Sequence, residues 1–389
     1  FWFTLMKNKR IPFNKPLFFE KQFRKNLSIL RQKSHFSSLG YFTEKCKNWL
    51  ALNLNCKNVF LVHSCTAALE MTALLLNIKK GDEIIMPSYT FVSSANAFVL
   101  RGGKPVFVDT HSNNCNIDPN KIEASITKKT KAILVVHYAG FSCDMDRISK
   151  IAKKHKLHVI EDAAQSILST YKNKKLGSIG DLATISFHET KNIHCGQGGA
   201  LLINNKKFLK RANILLEKGT NRYLHRNNLI KKYTWVDLGS SFALNEINAA
   251  YLYTQLVNAK KITYQRKKIY DYYNKKFKIL EKKGLILIPQ IPSYAKSNFH
   301  IYYILILKKK RDNLISHLKR KKISALFHYI PLHKSKFGKQ KGITKFSMKN
   351  TDRISNKLLR LPLHHKIKKK DVDKVFNEVL LFLKEKFND

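Results

Sequence analysis

Between residues 59 and 205 the chain alternates short apolar runs with amphipathic stretches, and this rhythm restricts its fold more than any other feature. The runs are VFLVHS (59–64), EIIMPS (83–88), PVFVDT (105–110), AILVVHY (132–138), HVIED (158–162), ATISFH (183–188) and ALLINN (200–205). Helical stretches such as TAALEMTALLLNI (66–78) and MDRISKIAKKHK (145–156) separate several of them. Strands alternating with helices predict an α/β layer built on a mostly parallel sheet. Ligands of such sheets gather beyond the carboxyl ends of the strands. The residues that close these runs are therefore the first place to look for chemistry.

From Asn245 the pattern turns helical. Ala249, Leu252, Leu256 and Ala259 recur at spacings of three and four, and YQRKKIYDYYNKKFKIL continues to about residue 280. A second unit follows, with a strand expected at FHIYYILIL (299–307), a helix near 311–322 and a closing amphipathic helix from Asp371. A chain of 389 residues, 44% of them hydrophobic, can bury one large and one smaller core. The reading is a large α/β domain over 11–264 and a smaller α+β domain over 265–389, with the boundary inside the long helix.

The 73 basic and 26 acidic residues leave a net charge of +47, which raises the question of a nucleic-acid or anionic-membrane partner. The lysines are spread through every segment, and none forms a recognition helix, a zinc-finger spacing or an aromatic-interleaved RNA motif. Unfocused charge supplies only non-specific affinity, so no specific nucleic-acid partner is expected, and a basic binding protein on a decayed enzyme scaffold is the remaining alternative. Cys46, Cys56, Cys65, Cys115, Cys143 and Cys195 include no C-x-x-C pair. They read as reduced thiols of a cytoplasmic protein, with no metal site. The opening FWFTLMKNKR is too short before Met6 for a secretory segment, and Met6 is an alternative start. No run approaches the roughly 18 apolar residues of a membrane helix, so no insertion is expected.

Three motifs carry chemistry. In SCTAALE (64–70) small hydroxyl residues open a helix whose first amides are unpaired and partly positive, which suits a phosphate. Taken alone, that stretch is an ordinary N-cap over an alanine-rich face. In HVIEDAAQ (158–165) a β run ends in Glu161 and Asp162, which point to opposite sides. In ISFHETKN (185–192) Ser186 lies on a strand and Lys191 follows five residues on, before the loop CGQGG. Those glycines are expected to let the backbone pass close to a flat ligand. A phosphate cradle, a carboxylate and a lysine are together what pyridoxal phosphate needs: an anchor, a partner for the protonated ring nitrogen and an amine for the aldehyde. Opposite charges about 4 Å apart attract by about 4 kcal/mol at an effective dielectric near 20. That is roughly three pKa units of support for the protonated ring. The amine must be partly neutral to attack a carbonyl, which burial and nearby positive charge promote.

At these residues the chain resembles the sugar aminotransferases of the DegT/DnrJ/EryC1/StrS family. The resemblance runs from IPFNKP (11–16) to LRLPLHH (359–365) and includes GDEIIMPSYTFVSSANAFVLRGG, VHYAG, EDAAQ, SFHETKN, EKGTNR, YTWVDLGSS and FHYIPLH. It implies the fold type I architecture of aspartate aminotransferase, pyridoxal 5'-phosphate as cofactor and a homodimer with shared active sites. The motifs look most like the subfamily that makes dTDP-4-amino-4,6-dideoxygalactose from dTDP-4-keto-6-deoxyglucose, with glutamate as donor, for enterobacterial common antigen. By this resemblance Lys191 is the Schiff-base lysine and proton carrier of a ping-pong cycle. Asp162 pairs with the ring nitrogen, Gln165 lies near the ring hydroxyl, and Cys65, Thr66 and Ser186 hold the phosphate. Phe91 stacks on the ring, with simple core as its alternative. Ser241 stands where relatives carry an asparagine that reaches the neighbouring subunit's cofactor, with a helix cap as its alternative. His328 and His333 line the sugar-nucleotide side, or are surface histidines, and His188 is read as a packed strand residue. The chain departs from the family at the glycine-poor QKSHFSSLGYF (32–42), at Gln197 in place of glutamate and at His63 in place of proline.

Overall fold

The computed structural model describes residues 10–384. The alternative start at Met6 lies outside the described residues. All seven runs form strands: β1 (Asn58–Val62), β2 (Glu83–Pro87), β3 (Lys104–Val108), β4 (Thr130–Val136), β5 (His158–Asp162) and, after a small hairpin of β6 (Thr170–Tyr171) and β7 (Lys174–Lys175), β8 (Leu182–Ser186) and β9 (Gly199–Ile203). Beyond them come β10 (Ile286–Leu287), β11 (Ala295–Lys296), β12 (Tyr302–Ile306), β13 (Ile343–Thr344) and β14 (Leu358–Leu361). The main sheet has eight strands in the order β1-β9-β8-β5-β4-β2-β3-β13. Pairings from β8 through β5, β4, β2 and β3 to β13 are parallel, and only β9 runs against its neighbours β1 and β8.

Buried location explains the composition of these strands. Every residue of β2, β8 and β9 is buried. Strands covered by helices on both faces read as continuous apolar runs rather than alternating ones. The crossing helices include α1 (Glu20–Lys33), α2 (Tyr41–Leu54), α3 (Cys65–Leu75), α4 (Val92–Val99) and α5 (Met145–Lys154). Ser64 caps α3 by accepting from the Ala67 amide at 3.0 Å.

The helix Ala259–Lys282 is shared by two cores. Ala259 and Ile262 pack with Leu252 and Leu256 beside the main sheet, whereas Tyr270, Tyr273 and Phe277 pack with β12 and the closing helix Lys369–Lys384. Two features cross a division drawn at residue 265. β13 joins the main sheet from the far end of the chain, and Ile11 packs into the second core and pairs with Ile323. Among the described residues no helix is long and apolar enough to cross a membrane.

Candidate active site

A cavity of about 570 Å³ opens at the carboxyl ends of the parallel strands. Cys65, Thr66, Phe91, Asp162, Gln165, Ser186, Lys191 and His328 all line it. Its floor is made by the chain turns that follow β1, β5 and β8, as the topology of such sheets dictates.

Asp162 is the last residue of β5 and is buried. The Ser94 hydroxyl donates to its Oδ2 at 2.7 Å, and the Ala164 amide donates to its Oδ1 at 3.2 Å. Thr90 lies 2.8 Å behind Ser94, oxygen to oxygen, so a short hydroxyl relay orients the carboxylate. Glu161 faces the other way and is fully buried, where it accepts from His137 Nε2 at 2.9 Å and from the amides of Gly177, Ile179 and Gly180. Burial alone raises its carboxyl pKa, but these donors outweigh burial and hold it below its usual value.

Lys191 sits in the loop joining β8 to β9. That loop is closed by Phe187 to Gly198, Glu189 to Gly196 and Lys191 to His188 main-chain bonds, and Gly196 takes the positive φ its turn requires (80°). Burial in the cavity lowers the pKa of the Lys191 amine; Cys65 and Asp162 pull it back and Arg360 adds to the lowering. A partly neutral amine is what attack on a carbonyl demands.

The start of α3 has the geometry the sequence predicts for holding a phosphate. The first intrahelical bond of α3 is made by the Ala68 amide, and Ser64 Oγ takes that of Ala67, so the amides of Cys65 and Thr66 point outward. Thr66 Oγ1 lies 2.8 Å from Ser93 Oγ, and Ser186 is buried at the end of β8. The Cys65 thiol is pushed up to about 12 by burial and stays uncharged. Of the glycine-rich turn, Gly198 lines the cavity, and Gly199 has a further task. A Cβ on Gly199 would lie 2.5 Å from the Cys65 nitrogen, so this glycine admits the α3 backbone beside β9.

Gln165 is held at both ends: its Oε1 accepts from the Ala139 amide at 2.7 Å and its Nε2 donates to the Tyr329 hydroxyl at 3.1 Å. Phe91 is not core. It is 56% exposed, precedes α4 at its N-cap position and lines the cavity with its ring centre 6.3 Å from that of Tyr329. Ser241 is exposed, pairs with Glu217 and lies outside the cavity lining; Asn245, not Ser241, caps the following helix.

His328 stacks on Tyr329 at 3.6 Å, its Nδ1 lies 2.6 Å from the Tyr138 hydroxyl, and burial together with Arg360 keeps it neutral well below the usual histidine range. His333 is absent from the lining and is taken up by Ser88 at 2.7 Å and Asp352 at 3.1 Å. His188 is not packed: it lies two residues past the end of β8, exposed at the cavity.

Several lining residues escaped sequence reasoning: Ser94, Arg266, His300, Tyr329, Arg360 and, from the N-terminal segment, Phe13 and Asn14. Arg360 sits over the Phe13 ring at 4.7 Å. Arg360 and Arg266 donate to the main-chain carbonyls of Phe327, Phe299 and His300 and meet no carboxylate among the described residues, so their positive charge faces the cavity.

The donor set fits pyridoxal phosphate: outward amides and hydroxyls for the phosphate, a carboxylate fixed by Ser94, and a lysine poised toward its neutral form. Together the fold and this site define a PLP-dependent aminotransferase of fold type I. Comparison with known proteins agrees. Residues 19–380 match the DegT/DnrJ/EryC1/StrS aminotransferase family, and the chain belongs to it. It is 32% identical to the spore coat polysaccharide biosynthesis protein SpsC of Bacillus subtilis, over 96% of this chain and 97% of SpsC. It is 33% identical to the GDP-perosamine synthase of Escherichia coli O157:H7, over 76% of this chain and 79% of that protein. The solved structure of Helicobacter pylori PseC, an aminotransferase involved in the biosynthesis of pseudoaminic acid, superimposes with a TM-score of 0.86 at 25% identity, covering 96% of this chain and 99% of PseC.

Proposed function

We propose that this enzyme transfers the amino group of glutamate to the 4-keto position of a nucleotide-linked 6-deoxy sugar. The first candidate acceptor is dTDP-4-keto-6-deoxyglucose, giving dTDP-4-amino-4,6-dideoxygalactose for enterobacterial common antigen or a related surface polysaccharide. Lys191 and Asp162 lining one cavity with the start of α3 is the observation that carries the reading. Bound pyridoxal phosphate supplies an electron sink for the pair left behind when a proton leaves the substrate carbon. The chain's own residues do the rest. The Cys65 and Thr66 amides with Thr66 and Ser186 hydroxyls hold the phosphate, Phe91 covers the ring, Gln165 borders it and Asp162 keeps its nitrogen charged. Lys191 holds the cofactor and then moves the proton through Nζ. Arg360 and Arg266 give the cavity the positive charge that donor carboxylates and a sugar diphosphate both require. His328 borders the acceptor, while His333, bound to Ser88 and Asp352, supports the structure around it.

The likeness to a GDP-perosamine synthase supports a second acceptor, a GDP-linked 4-keto-6-deoxy sugar. A cytoplasmic homodimer, in which Ser241 serves the neighbouring subunit's site, completes the proposal. Assaying amino transfer from glutamate to dTDP- and GDP-linked 4-keto-6-deoxy sugars tests it. Turnover with one of them supports the reading, and transfer to neither, by protein that binds the cofactor, refutes it.

A further inference from the structure

His300 and Asn192 form a pair whose protonation is decided by their surroundings. Asn192 is buried, and its side chain lies 2.8 Å from the Asn298 carbonyl oxygen on one side and 2.9 Å from His300 Nδ1 on the other. A carbonyl oxygen only accepts, so the Asn192 nitrogen must face Asn298 and its oxygen must face His300. The reversed amide would set two oxygens against each other at 2.8 Å. The oxygen of Asn192 therefore accepts from His300, Nδ1 carries the proton, and Nε2 of the neutral ring is left with a bare lone pair.

That lone pair finds no partner among the described residues, and Nε2 is not one of the sealed, unsatisfied atoms of the interior. His300 lines the cavity, so its free nitrogen meets whatever enters. The bond from Nδ1 to Asn192 orients the ring, and Arg266, donating to the carbonyls of Phe299 and His300 at 3.0 and 2.5 Å, fixes the backbone that carries it. Burial and the charges of Lys191, Arg266 and Arg360 keep the imidazole uncharged.

A bare ring nitrogen recognises a hydrogen-bond donor and repels an anion. The two arginines close by, Arg266 and Arg360, disfavour a further cation, which argues against the donor ammonium group. What remains is a neutral O–H or N–H, and because His300 is bound to Asn192, the neighbour of Lys191, the donors within its reach are the sugar hydroxyls adjoining the reacting carbon rather than the base N–H groups beyond the diphosphate. We propose that His300 is a substrate-positioning residue whose Nε2 accepts a hydrogen bond from a ring hydroxyl of the sugar. The inference rests on the nucleotide-sugar reading and narrows it: one hydroxyl is read by this chain through an acceptor, and the sequence pattern around it offered no sign of the role.

The test uses full-length enzyme with cofactor, and dTDP- and GDP-linked 6-deoxy sugars lacking the ketone as unreactive probes. Calorimetry should find that removing one ring hydroxyl, at C2 or C3, weakens binding by about tenfold, the size of one hydrogen bond with its unpaired partner left behind. His300→Phe should bind intact and deoxy probes alike, and His300→Gln should restore most of the difference. Equal binding across the deoxy series by wild-type enzyme overturns the role of His300 alone. Binding of no sugar nucleotide overturns the function and this role together. Nitrogen NMR supplies an arm free of substrate: a protonated Nε2 on His300 in the wild-type enzyme would contradict the proposal, and an unprotonated one supports it even where His300→Phe fails to fold.

Discussion

Glu161 and Asp162 are neighbours on β5 that serve opposite faces of one sheet. Asp162 enters the cavity on a hydroxyl relay, while Glu161 is sealed beneath it against His137 and three amides. The alternation of side chains along a strand makes that separation automatic, and it splits chemistry from stability between adjacent positions.

Glu161→Gln should therefore cost stability. It removes the charge that four donors converge on, and breaking a buried, fully satisfied carboxylate site costs about 3 kcal/mol. Urea unfolding of the two proteins measures the difference. The acid limb carries a second signature. The folded-state pKa of Glu161 lies below its unfolded value, so its contribution is whole above the ordinary glutamate value of about 4.3 and drains as pH falls through the folded value. The variant should show a shallower loss of stability across that acid range.

Asp162→Asn should do the reverse, leaving the unfolding midpoint nearly unchanged and lowering turnover by at least about a hundredfold through the lost ring-nitrogen partner. Ser94→Ala should fall between, since it deletes only the 2.7 Å bond that orients the carboxylate. Spectrophotometric cofactor titration should show weaker retention by about tenfold, one charge-assisted hydrogen bond's worth.

Gly199→Ala tests the close approach behind the phosphate cradle. Its Cβ would sit 2.5 Å from both the Cys65 nitrogen and the Ser64 carbonyl carbon, so β9 and the start of α3 must part. Cofactor affinity should drop by more than about tenfold, because the outward amides of Cys65 and Thr66 shift with the helix. Unchanged affinity would show that the cradle is set elsewhere.

His328 and His333 should separate. His328→Gln alters the cavity wall and should raise the sugar-nucleotide KM, whereas His333→Gln loses contacts to Ser88 and Asp352 and should register mainly in thermal stability. Steady-state kinetics beside melting curves distinguishes the two.

Much of this site was legible because it is local. Asp162, Ser186 and Lys191 end apolar runs or follow them within a few residues, and a hydroxyl before an alanine-rich helix marks the α3 start. Ser94, His300, Tyr329 and Arg360 carry no such signal. Ser94 reaches Asp162 from 68 positions away, and His300 reaches Asn192 from 108. Only the strand order brings them together, and order is not written in periodicity. The same holds for β13, two residues that join the main sheet from position 343. Phe91 is ambiguous in the sequence because aromatic residues serve cores and ligand faces alike, and its exposure removes the core alternative.

The central claim is that one lysine among many carries the cofactor. Borohydride reduction of the yellow holoenzyme, followed by digestion and mass spectrometry, tests it directly. The account predicts the phosphopyridoxyl mass on the peptide containing Lys191 and nowhere else, and a Lys191→Ala protein that neither takes up the label nor transaminates. Label on another lysine, or transamination by Lys191→Ala, would contradict it.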